Sequence, residues 1–126
     1  MPPGALPVTR RGWHVVVEPD AVTVARRLPA RFDIVAETQL TVSGVVSLRR
    51  MAHQIRQDIW RALRDLRGFA PVVTAAQRPG HLHIRAGGEL VAGRQPAGVE
   101  SVITAVLADA GNRRRWISHA ERRADA

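Results

Sequence analysis

The chain has 126 residues, 19 basic side chains against 11 acidic ones, a formal net charge of +8 and no cysteine. That length suits one domain with its own core, and the lack of thiols excludes disulfides, thiolate metal sites, iron–sulfur clusters and cysteine nucleophiles. No apolar run approaches the ~20 residues that span a bilayer, so no transmembrane segment is expected.

The first residues lack a basic stretch followed by an apolar one, so no secretory leader is expected and the location is read as cytoplasmic, with no membrane contact. Residues 1–12, rich in proline and ending near Arg10-Arg11, have no periodicity and read as a flexible arm. From Trp13 the pattern turns to strands. Residues 13–18 and 21–25 are rich in valine and are joined by Pro19-Asp20, a hairpin signal. Residues 31–42 alternate, with Phe32, Ile34, Ala36, Thr38, Leu40 and Val42 on one face, as a half-buried strand does.

Ser47 is placed to cap a helix of about twenty residues, in which Leu48, Met51, Ala52, Ile55, Ile59, Ala62, Leu63 and Leu66 form one apolar stripe and Gly68 supplies the stop. Residues 69–76 and 81–86 read as a second hairpin across Arg78-Pro79-Gly80, with Gly87-Gly88 and residues 93–98 as loop. Val99, Val102, Ile103, Val106, Leu107 and Ala110 give a second amphipathic helix. Gly111 breaks it and Asn112 caps a short terminal helix around Trp116, Ile117 and Ala120, fraying from Arg122.

The order β-β-β-α-β-β-α-α predicts an α+β fold: an antiparallel or mixed sheet of about five strands, two main helices on one face and a short C-terminal helix. Residues 13–111 form the domain, residues 1–12 the arm and residues 112–126 a basic terminal segment. Residues 31–110 have the element order of a ferredoxin-like unit lacking its last strand, a likeness of architecture that carries no activity.

Charge is unevenly spread. Residues 49–67 carry a net +4, residues 112–126 a net +3 and residues 13–48 a net −1, so the excess lies on the first helix, the arm and the tail. Arg49, Arg50, Arg56, Arg61, Arg64 and Arg67 outnumber Asp58 and Asp65, with Asp58 to Arg61 a natural pairing. Two readings of this face compete: a solvated basic helix in a chain that uses arginine in place of lysine throughout, and a docking surface for a polyanion. The candidate contacts are Arg49, Arg50, Arg56 and Arg64, with Arg113, Arg114 and Arg115 in the tail. Tyrosine is missing and Trp60 reads as core, so contact with a phosphate backbone is expected rather than stacking on bases.

Signals for catalysis are thin. His81 and His83 share a strand face and could supply two metal ligands, but no spacing forces a third nearby, and a solvent-facing pair is the commoner arrangement. No nucleophile elbow, phosphate-binding glycine loop or carboxylate pair is present. The expectation is a small, non-catalytic, arginine-rich module without cofactor, whose partner is nucleic acid, a nucleoprotein assembly or an acidic protein surface. The alternative is a structural or adaptor subunit within a larger assembly that touches no nucleic acid.

Overall fold

The computed structural model describes residues 8–10, 12–91 and 97–124. Among these the chain runs through β1 (Val8–Arg10), β2 (Trp13–Glu18), β3 (Ala21–Ala25), β4 (Ile34–Leu40), α1 (Leu48–Ala62), β5 (Ala70–Arg78), β6 (His81–Glu89), α2 (Val99–Ala108) and α3 (Ala110–Ala124). The strands form one sheet in the order β1-β2-β3-β5-β6-β4, every neighbouring pair antiparallel. From Trp13 onward this is the predicted α+β order. Val8–Arg10, placed in the arm by the sequence, adds a three-residue edge strand to β2. Residues 1–7 and 11 of the arm and most of the loop at residues 93–98 lie outside the described residues.

Both predicted hairpins form. Glu18 pairs with Ala21 across Pro19-Asp20, and Arg78 pairs with His81 across Pro79-Gly80, where Gly80 takes the positive φ of +78° that a two-residue turn demands. Gly87 and Gly88 are not loop, as their composition suggested; they lie inside β6. A Cβ on Gly87 would sit 1.9 Å from the Ile34 carbonyl oxygen, and one on Gly88 2.2 Å from that of Ala70. The pair allows β4 and β5 to close on β6 from both sides, a strand use of glycine that composition cannot distinguish from a loop.

The chain passes from β4 through α1 to β5, with β6 inserted between the two strands. Entry to β4 is fixed by Asp33, whose carboxylate accepts the Leu90 N–H at 2.7 Å and lies 3.2 Å from Arg31. The Leu90 hydrogen bond holds its pKa below the usual carboxylate range, with partial burial opposing and Arg31 assisting.

One core lies on the helix side of the sheet. Val15, Val24, Val73, Ala75, Leu82, Ile84 and Leu40 face Met51, Ile55, Ile59, Ile103, Leu107 and Trp116. Ser47 caps α1 as expected, its side chain accepting the Arg50 N–H at 3.2 Å. The helix ends at Ala62, earlier than predicted. Leu63, 7% exposed, buries from the turn that follows, so the apolar spacing outlasts the helix itself. In α2 the buried residues are Val99, Ile103 and Leu107, spaced by four, which leaves Val102 37% exposed rather than in the core.

The C-terminal helix is as long as α1, at 15 residues, and Asp109 rather than Asn112 caps it. The Asp109 carboxylate accepts the Asn112 N–H at 2.8 Å, while the Asn112 amide donates back to the Val106 carbonyl at 3.1 Å. Asp109 thus ends α2 and starts α3, and a cap three residues ahead of the expected one carries Gly111 into the helix.

Candidate polyanion-binding face

Burial of Met51, Ala52, Ile55 and Ile59 fixes the roll of α1 about its axis. The opposite, outward side carries Arg49, His53, Gln57 and Trp60, then Arg64 just past the helix end, at intervals of four, four, three and four residues. Arg49 and Arg64 are exposed. Trp60, read from sequence as core, is 47% exposed, because its position in the stripe lies on this outward side.

The first half of this stripe opens into a cleft of about 400 Å³ lined by Ser47, Arg49, Arg50, His53, Gln54, Gln57 and His119. Two arginines, two histidines, two amides and a hydroxyl line it; no carboxylate is among these residues. His119 comes from α3, and its Nε2 lies 2.6 Å from Arg50 Nη1. Since arginine only donates, the contact as a hydrogen bond makes Nε2 the acceptor. His53 Nδ1 accepts from Arg56 Nη2 at 3.3 Å in the same way. The sequence ranked neither histidine as a site residue. His119 reaches the cleft only because α3 crosses α1.

The other predicted contacts divide. Arg113 donates from Nη1 to Thr38 Oγ1 at 3.0 Å and to the Leu107 carbonyl at 2.9 Å, and from Nη2 to the Gln39 carbonyl at 2.5 Å, binding α3 to the open side of β4. Arg115 donates to Asp58 at 2.6 Å, to Asn112 at 3.0 Å and to Gln54 at 3.3 Å. Asp58, 9% exposed, also accepts the Trp116 indole N–H at 2.7 Å and pairs with Arg61 at 3.4 Å. The Asp58–Arg61 pairing is the one expected on helix spacing; the stronger links from Asp58 to α3 are tertiary. Arg114 is exposed on the outer side of α3, opposite Trp116.

Arg56 is half-buried with its guanidinium 4.4 Å from the centre of the Trp13 ring, and Arg26 approaches the same ring at 4.8 Å. The Arg56 Nε is buried with no acceptor among the described residues. Burial first, and the nearby Arg26 charge second, push its pKa below the ordinary arginine value. The ring face of Trp13 partly offsets the cost of desolvating this cation. Arg56 is therefore a packing residue as much as a surface charge.

Beside it, at the C-terminal end of α1, a second cleft of about 450 Å³ is lined by Trp13, Arg26, Arg27, Trp60, Phe69 and Pro71, among others. The sequence signal missed it because Arg26 and Arg27 lie in a segment of net negative charge, far along the chain from Trp60.

His81 and His83 have other partners. His83 Nε2 lies 2.8 Å from Glu37 across the β4–β6 pairing, and the Pro79 carbonyl accepts from His81 Nδ1 at 3.2 Å. Among the described residues no group of three histidine, aspartate or glutamate side chains is placed to hold a metal ion. No described helix is long and apolar enough to cross a membrane. Comparison with protein-family models, curated proteins and solved structures finds no match to this chain.

Proposed function

We propose that the protein is a small, non-catalytic, basic binding module that contacts a polyanionic partner, foremost nucleic acid, through the outward face of α1. The observation that carries this reading is the cleft of Arg49, Arg50, His53, Gln54, Gln57 and His119, in which each of these side chains can donate a hydrogen bond and no carboxylate is among the lining residues. Phosphate oxygens are acceptors that match such a surface, and guanidinium forks bind them in bidentate fashion. The uneven charge, with +4 on residues 49–67, supplies the longer-range attraction.

The test is fluorescence anisotropy with generic DNA and RNA between about 50 and 200 mM salt, where each neutralised phosphate adds about 0.9 to the slope of log affinity on log salt. The double variant Arg49→Gln, Arg64→Gln binds more weakly on all sequences alike, with a shallower slope. A parent that binds neither polymer at the low-salt end overturns the reading. The adaptor reading has its own support in the exposed apolar side chains of Val45 (83% exposed) and Val91 (61%). It requires affinity for a protein partner that changes little with salt.

A further inference from the structure

The second cleft does not resemble the first. The first is lined by polar and charged groups; the second sets aromatic rings beside cations. Trp60 stands at the last turn of α1, 47% exposed, and the cleft is also lined by Phe69, by the buried Pro71 and by the consecutive arginines Arg26 and Arg27, both exposed, just after β3. Arg26 is held in place by its stack on Trp13 and by donating to the Gly12 carbonyl at 3.3 Å. No carboxylate is among the described residues that line the cleft. A flat π-face beside guanidinium groups suits a ligand that is itself both flat and anionic. The cleft volume, about 450 Å³, lies in the range that holds one small-molecule-sized unit.

We infer that this cleft is a stacking site for one unpaired base of a single-stranded nucleic acid, with the base against Trp60 and its phosphate on Arg27 and Arg26. The inference rests on the polyanion reading and narrows it. Arg49, His53, Gln57 and Trp60 lie along one side of α1, so the two clefts share a continuous face about 16 Å long from Arg49 to Trp60, at 1.5 Å of rise per residue. A strand lying along that face places its backbone against Arg49 and Arg50 and delivers a base to Trp60. A duplex meets the same arginines but keeps its bases paired and away from the ring. Single-strand binders combine these two elements, a positive track and an aromatic platform.

The experiment uses the full chain and three probes: a single strand of about ten nucleotides, the duplex of the same sequence, and adenosine 5′-monophosphate. Trp13 is 8% exposed and Trp116 fully buried, so quencher-accessible tryptophan emission reports Trp60. The single strand is expected to quench that emission and to shield it from acrylamide; the duplex binds with the emission unchanged. Trp60→Ala lowers single-strand affinity about tenfold and changes duplex affinity less than about twofold, while Trp60→Phe, which keeps a ring, recovers most of the loss. Equal loss on single strand and duplex, or no loss on either, overturns the stacking site and leaves the polyanion reading standing. The mononucleotide binding as tightly as the oligomer also overturns it, since the cleft would then serve free nucleotides. Failure of all three probes to bind the parent overturns both readings together.

Discussion

Helices α1 and α3 are equally long and similarly rich in arginine, yet they use that arginine in opposite ways. On α3, Arg113 and the half-exposed Arg115 donate to β4, α2 and α1, so their charge is directed at holding the helix down. On α1, Arg49 stands in solvent, Arg64 does so just beyond its end, and Arg50 lines a cleft. The hinge of the difference is Asp58, a carboxylate on α1 that faces α3 and collects Arg115, Arg61 and the Trp116 indole. A count of arginines in a segment therefore measures charge carried, not charge offered to a partner. Charge on offer depends on whether a carboxylate or a carbonyl has already been folded against it.

The comparison can be broken or sharpened by substitution, beginning at the contact between the helices. Trp116→Ala removes a fully buried ring and should cost about 3–5 kcal/mol in a urea or thermal melt. A loss under about 1 kcal/mol would show that α3 is not docked as described. Asp58→Ala should cost about 2–3 kcal/mol: it orphans the buried indole N–H, while Arg115, 46% exposed, regains part of its hydration. Arg113→Gln, which loses donors to three acceptors, should cost about 1–2 kcal/mol and loosen amide-exchange protection along β4. At the small end, Arg49→Gln, Arg64→Gln and Arg114→Gln should each move stability by less than about 0.5 kcal/mol, and the first two should weaken polyanion binding. If Arg114→Gln proved as damaging as Arg113→Gln, the division of α3 into an inward and an outward side would be wrong.

Periodicity and turn chemistry, both local, determined much of this protein from the sequence by itself. The two hairpins followed from Pro19-Asp20 and Pro79-Gly80, the inward face of α1 from Met51, Ile55 and Ile59, and the α1 cap from Ser47. Net charge on residues 49–67 located the basic face. Contacts between segments distant in the chain were decided only by the tertiary structure. Gly87-Gly88 became strand because two neighbouring carbonyls approach where a side chain would stand. Asp109 displaced Asn112 as the α3 cap and lengthened the helix, and Trp60 faced outward beside Arg26 and Arg27 instead of joining the core. Arg113 and Arg115 lost their availability to acceptors on β4, α2 and α1, and His119 joined Arg50 from 69 residues away. The physical reason is one of range: spacing of three or four residues, or of two, fixes which side of an element is apolar. Which polar group is neutralised, and which cleft is left open, depends on what another element brings against it.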